Sequence, residues 1–327
     1  MPLNEACYLA SSDKIYGVME NYVFMFNAST GITEASTKVC APCYGPMRIK
    51  EGTGVIYVAS KSDFSTNRLT PNPPDTITNR QIWNVDPGTL AVTNYFQLDQ
   101  YWQNILVTFA DDLDYDYFAW GPTCMEISGG WMYFMYSSGY GYQHAAVLLT
   151  DPTDNFFNYT MGTTGASMSP QLFDINGLDW YRPYTGANDM RWYKLVYPFA
   201  FQPWSYQAGW DSTPDYITAI RYVASQASVY GVAGTDTLHK WAANAGTHTT
   251  ASLSAVYSGV QPFRLRLSPL DGKLYIPCQK EDVVIIWDPA TDTGTYKDGF
   301  NSPIDVVFTG SKSWAVQTAT IGLKEIV

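Results

Sequence analysis

Apolar positions along this chain come in bursts of about five, rich in β-branched and aromatic residues, and each burst ends at turn-forming residues. Residues 283 to 294, "VVIIWDPATDTG", show the pattern: an apolar run, then Asp, Pro and a Thr-Asp-Thr-Gly reversal. The same plan recurs in "YVFMFNASTG" (22 to 31), "QIWNVDPGTL" (81 to 90), "AVLLTDPTDN" (146 to 155) and "TLHKWAANAGT" (237 to 247). An Asx side chain at the turn accepts local backbone hydrogen bonds, and Pro or Gly sets the reversal, so each stretch predicts strand, tight turn and returning strand.

A second motif precedes each of these. "KIYGV" at 14, "VIYVA" at 55, "WMYFM" at 131, "DWYRP" at 179, "SVYGV" at 228 and "KLYIP" at 273 predict short central strands. Their tyrosines, at 16, 57, 133, 181, 230 and 275, are spaced by 41 to 49 residues except for one interval of 76. That interval holds "TPNPPDT", "DQYWQN" and "DDLDYDYFAW", which read as insertions near 61–80 and 99–120; a further one is read near 181–210. A third motif, with Pro opening a strand, appears in "GPMRIK" at 45, "GPTCME" at 121, "SPQLFD" at 169, "QPFRLR" at 261 and "SPIDVV" at 302. Inner strands near 7, 46, 122, 170, 217, 262 and 303 give seven units of about four strands. The expected fold is all-β: one β-propeller domain over 1–327, seven blades of about four antiparallel strands each. The last unit has room for only three strands, so residues near the N-terminus are expected to supply its outer strand.

Composition narrows the function classes. There are 19 Lys and Arg against 30 Asp and Glu, a net charge of −11, with no basic cluster. That excludes nucleic acid and anionic membrane surfaces as partners, since both require clustered cations. No apolar stretch is long enough to span a bilayer, so no membrane insertion is expected, and "MPLNEACYLASSDK" carries no signal-peptide pattern. Five cysteines, an odd number, point to reduced and mostly buried thiols.

In repeat architecture the chain resembles the seven-bladed propeller superfamily that includes WD-repeat and YVTN-type proteins. It departs from WD-repeats in a specific way: the Trp287-Asp288 pair occurs once in its register, and none of His144, His239 and His248 follows a Gly. Wealth in Tyr, Trp, Asn and Thr without an enzyme motif is similar to propeller components of bacteriophage particles. That resemblance implies a tail or host-contact role.

Four groups of residues carry candidate chemistry. "CAPC" at 40 to 43 has CxxC spacing but no helix signal around it, which favours packed thiols over redox or zinc chemistry. Asp112, Asp114 and Asp116 alternate along "DDLDYDY"; in an extended segment their carboxylates share a face that calcium would neutralise, although no Gly follows to turn a calcium loop. Arg48, Arg264 and Asp305 each stand two residues after the Pro of the inner-strand motif, a position expected to face the central channel. There they form either a charge-balanced lining or a site for an anionic group. Trp102, Tyr140, Tyr142, Trp204 and Trp210 lie in segments mixing aromatics with Gln, Asn and Gly, suited to stacking on sugars or docking a protein. No G-x-S-x-G, HExxH or P-loop is present.

The sequence therefore predicts a non-enzymatic binding or assembly protein, set in a virion or extracellular, whose partners are protein subunits of a larger assembly or a glycan receptor. The alternatives are a lectin-like propeller outside a virus, then a glycosidase or lyase.

Overall fold

A computed structural model describes residues 5–19, 22–39, 46–50, 52–59, 81–97, 122–138, 141–158, 174–176, 179–184, 189–195, 204–209, 217–243, 245–318 and 322–327. Side chains are described over these stretches except at 81, 94–97, 122–124, 134–138, 141–145 and 151–209. The first sheet is β1 (Glu5–Leu9), β2 (Lys14–Met19), β3 (Tyr22–Asn27) and β4 (Thr33–Lys38). The second is β5 (Met47–Ile49), β6 (Ile56–Ala59), β7 (Gln81–Val85) and β8 (Val92–Gln97). The third is β9 (Pro122–Ser128), β10 (Trp131–Ser138), β11 (Gly141–Leu148) and β12 (Asp151–Asn158), and the fourth β13 (Asp174–Asn176), β14 (Asp179–Tyr184), β15 (Asp189–Leu195) and β16 (Trp204–Gly209). The fifth is β17 (Ala219–Val223), β18 (Ser228–Val232), β19 (Thr237–Ala242) and β20 (His248–Ser252). The sixth is β21 (Arg266–Leu267), β22 (Leu274–Cys278), β23 (Val283–Asp288) and β24 (Thr293–Lys297). A last, three-stranded sheet holds β25 (Pro303–Phe308), β26 (Ser313–Gln317) and β27 (Gly322–Glu325).

Every pairing is antiparallel and follows chain order, so each sheet runs from an inner to an outer strand. The inner strands touch in sequence, β1 to β5, β9, β13, β17, β21 and β25, and β25 returns to β1. This is the ring of a β-propeller. Among the described residues the number of complete four-stranded blades is six, not the seven expected. The N-terminal residues also behave differently from expectation: Glu5–Leu9 is the innermost strand of its own blade, not the outer strand of the last sheet. The segment 181–210, read as an insertion, contains most of β14 together with β15 and β16.

Closure between the last sheet and the first blade is made by side chains. Ala6, Ile15, Phe26, Val307, Trp314 and Val316 form one buried cluster. Trp314 Nε1 donates to the Ala28 carbonyl at 3.1 Å, and Lys312 Nζ to the Ser29 carbonyl at 3.0 Å.

The two recurring motifs are mechanically linked. Asn27 Oδ1 accepts from the Ser29 and Thr30 amides, and Asp86 Oδ1 from those of Gly88 and Thr89, so an Asx residue closes both of these outer turns. Tyr16 of the central-strand motif donates its hydroxyl to the Pro87 carbonyl of the next blade's turn at 2.8 Å. Burying the Tyr16 ring removes a large apolar area from water while the hydroxyl keeps a partner.

Candidate functional site: the charged central channel

The register of the inner strands determines what lines the channel. Opposite the motif tyrosines stand Cys7 (Tyr16), Arg48 (Tyr57), Glu126 (Tyr133), Asp174 (Tyr181), Arg221 (Tyr230) and Arg266 (Tyr275). Five of these six are ionisable as acid or guanidinium, on the strands nearest the axis. Their spacing from the tyrosine is seven or nine residues, because a hairpin keeps the sum of paired residue numbers constant and an even number of residues lies between the partners in each of these six.

The described side chains form a connected ion-pair network. Glu5, fully buried on β1, binds Arg48 Nη1 and accepts from Arg266 Nη2 at 2.9 Å and from the Met47 amide at 2.8 Å. Arg48 turns its other edge to Glu126, donating from Nη2 at 2.7 Å and Nε at 3.1 Å. Arg221 Nη2 lies 3.8 Å from the same carboxylate. Arg266 grips Asp305 through Nη2 at 2.7 Å and Nε at 2.8 Å, and Arg264 Nη1 lies 3.7 Å from Asp305. Glu5 is the link, joining the arginine of the second blade to that of the sixth.

Electrostatics follow from this packing. Burial by itself raises the carboxyl of Glu126, but Arg48 and Arg221 outweigh it and hold it below the ordinary range. Asp305 is likewise lowered: burial opposes ionisation, and Arg266 beside it prevails. Arg48 and Arg266 are held more firmly protonated than usual by the carboxylates they face, which overcome the burial penalty. For Arg264 burial wins and the shift is downward. The Cys7 thiol, pushed up to about 12 by burial and then by Glu5, donates to the Met47 carbonyl at 3.3 Å and is no nucleophile at neutral pH. Among the described residues no group of three or more His, Cys, Asp or Glu is placed to hold a metal ion.

Arg48, Arg264 and Asp305 all join this network, but Arg264 is not the equivalent of Arg48. Arg266 holds that register. The sequence reading also missed Glu126 and Arg221, for which the spacing of seven or nine from the motif tyrosine was the available signal, and Glu5, which pairs with Val18 and had no such signal. Asp112, Asp114, Asp116, Trp102, Tyr140 and Trp210 lie outside the described residues, as do Cys40 and Cys43. Tyr142 and Trp204 are described by backbone alone, and they sit at opposite rims: Tyr142 follows the turn from second to third strand, whereas Trp204 opens a fourth strand.

His239 and His248 lie on the third and fourth strands of the fifth blade, away from the channel. His239 Nδ1 and His248 Nε2 are 3.0 Å apart on β19 and β20, and both rings stack on Trp241.

With this geometry in hand, comparison with known proteins is informative about shape. No family model matches the chain, and no curated protein does. Among solved structures, a chain in the crystal structure of the Mitotic Checkpoint Complex is similar over 99% of this chain and 86% of its own length, with 13% identity and a TM-score of 0.62. The likeness shows the fold alone. Matches to 1282 chains of solved structures mark the arrangement as widely reused, so function has to be argued from this chain's own surfaces.

Proposed function

We propose that the chain is a non-enzymatic propeller that acts in protein interaction and assembly. The observation that carries this reading is the channel: among the described residues its guanidinium and carboxylate groups are engaged with one another, and Cys7 is held protonated. The concavity at the axis is thereby committed to holding blades together, which leaves the rims for partners. The finer reading places the assembly in a virus particle, with Trp102, Tyr140, Tyr142, Trp204 and Trp210 as contact residues. Its support is the aromatic content of 16% with net charge −11, a composition suited to amphipathic contact and unsuited to nucleic acid.

Sedimentation of the protein from its native source tests the reading. It should migrate with large particles and show subunit cross-links, and Trp102→Ala combined with Trp210→Ala should weaken that association at least about tenfold, the loss expected of central aromatic contacts. A protein found only as a free monomer would remove the assembly role. Retained association in the double variant would remove the aromatic segments from it, and glycan capture lost in that variant would favour the lectin reading.

A further inference from the structure

The last sheet has three strands where the other six have four. The edge of β27 is therefore set back by one strand spacing, about 4.8 Å, from its neighbours' outer strands. Among the described residues no strand pairs with that edge. The Ile326 amide donates inward to the Ser313 carbonyl at 2.8 Å, and by antiparallel alternation the amides and carbonyls of Leu323 and Glu325 point outward.

The walls of the recess differ chemically. On the first-blade side Tyr22, Phe24 and Phe26 form a ladder with ring centroids 6.2 and 6.3 Å apart. Phe24 and Leu323 pack on the closure cluster, while Tyr22 remains 38% exposed. On the sixth-blade side Thr295 and Lys297 share a sheet face with Ile286 and Val284, which pack toward the last sheet. Lys324 lies over the Phe300 ring at 5.5 Å, and a groove of about 420 Å³ runs between Lys297, Asp298, Phe300, Lys324, Glu325 and Val327. Among the described residues Lys297 has no ion-pair partner. One wall is aromatic; the other presents Lys297 and Lys324, with Asp298 beside them and Glu325 paired to Lys312.

We propose that this recess accepts a fourth strand from a partner polypeptide: an extended segment with apolar side chains toward Tyr22 and Phe24, alternating with acidic ones toward Lys297 and Lys324. Strand addition supplies affinity through main-chain hydrogen bonds, and alternate side chains supply specificity. The proposal rests on the interaction role above and names a second contact for it.

The test uses the whole chain and a labelled extended peptide of about six residues, the usual strand length, alternating Val and Glu. Controls alternate Val and Lys, or gather the Val and Glu residues into blocks. The alternating acidic peptide should bind at least about tenfold more tightly than either control, and it should slow amide exchange at Leu323 and Glu325. Glu325→Pro removes an outward donor while sparing the bonds to β26, and should weaken binding by about tenfold. Lys297→Glu with Lys324→Glu leaves the backbone intact and should shift preference to the Lys peptide. Equal binding of all three peptides, or no change in exchange, overturns the proposal. Slow exchange of both amides before peptide is added also overturns it, pointing to this chain's own residues if it survives dilution and to a second copy if it does not. Failure here with particle association intact leaves the assembly role standing, and the reverse result removes only that role.

Discussion

Replacing Glu5 with Gln is the sharpest probe of the channel as a clasp. The substitution keeps size and can keep an oxygen for the Met47 amide, but it turns one acceptor into an NH2 group facing a guanidinium. Glu5 is fully buried and is the carboxylate shared by Arg48 and Arg266. Removing one partner from a buried ion pair costs about 3–5 kcal/mol, because the other charge stays desolvated. Here Arg48 keeps Glu126 and Arg266 keeps Asp305, so the lower end, about 3 kcal/mol, applies. At about 2.1 cal/mol/K per residue, a chain of 327 residues has an unfolding entropy near 0.7 kcal/mol/K, and the loss lowers Tm by about 4 °C. Urea unfolding followed by tryptophan fluorescence measures the same loss directly. The Glu5→Gln, Arg48→Met double variant should cost less than the sum of the singles by about 1.5 kcal/mol or more, as expected for direct partners. A single-variant loss under about 0.5 kcal/mol, or additivity within about 0.5 kcal/mol, would refute the clasp.

Three further outcomes follow from the same geometry. Glu126 and Asp305 have carboxyls lowered in the folded state, so their contribution is fully present above the ordinary carboxylate range and is lost as pH falls through their folded values; the urea midpoint should drop between pH 6 and pH 3. A midpoint flat across that window counts against the pairing. Gly31 has φ +69°, and a Cβ there would lie 2.7 Å from the Trp314 ring, so Gly31→Ala should cost about 1–3 kcal/mol by thermal unfolding, whereas Gly52→Ala, with φ +85° and open space, should cost less. Cys7 and Cys278, both pushed up to about 12 mainly by burial, should stay unmodified by iodoacetamide at pH 7.5 in the folded protein and react once it is unfolded, as read by peptide mass spectrometry.

Much of the fold was legible because each blade repeats two local signals. The Asx turn is determined by residues within four positions of one another, and the central-strand tyrosine by the alternation around it, so both survive translation into structure at 27–31 and 86–90. Blade completeness was less legible. The last unit's three strands were visible, but the role of the N-terminal residues depends on which edge they pair with, a nonlocal choice that Glu5 decides by being bound at the axis. The channel was partly legible for a similar reason. Counting from Pro gave Arg48 and Asp305 but placed Arg264 where Arg266 belongs, since the distance from the Pro to the channel position is not constant between blades. Pairing with the tyrosine is constant, because hydrogen bonds impose it.

These two facts bear on where the ring opens. Among the described residues six blades carry a full outer strand, while the last sheet joins the first blade through Trp314, Lys312 and an apolar cluster, with no shared strand. The last sheet has one strand fewer than its neighbours to bury between them, so the perimeter of the joint between β25–β27 and the first blade is where local opening costs least. Glu5 counters that weakness from the axis, since its ion pairs tie the first blade to the second and the sixth and so span the three-stranded sheet. A segment bound at the β27 edge would reinforce the same joint from the outside. Stability at the axis and binding at the perimeter should then be coupled: a partner strand should protect the Glu5→Gln variant more than the parent, in proportion to how much of the variant's loss arises from opening at this joint.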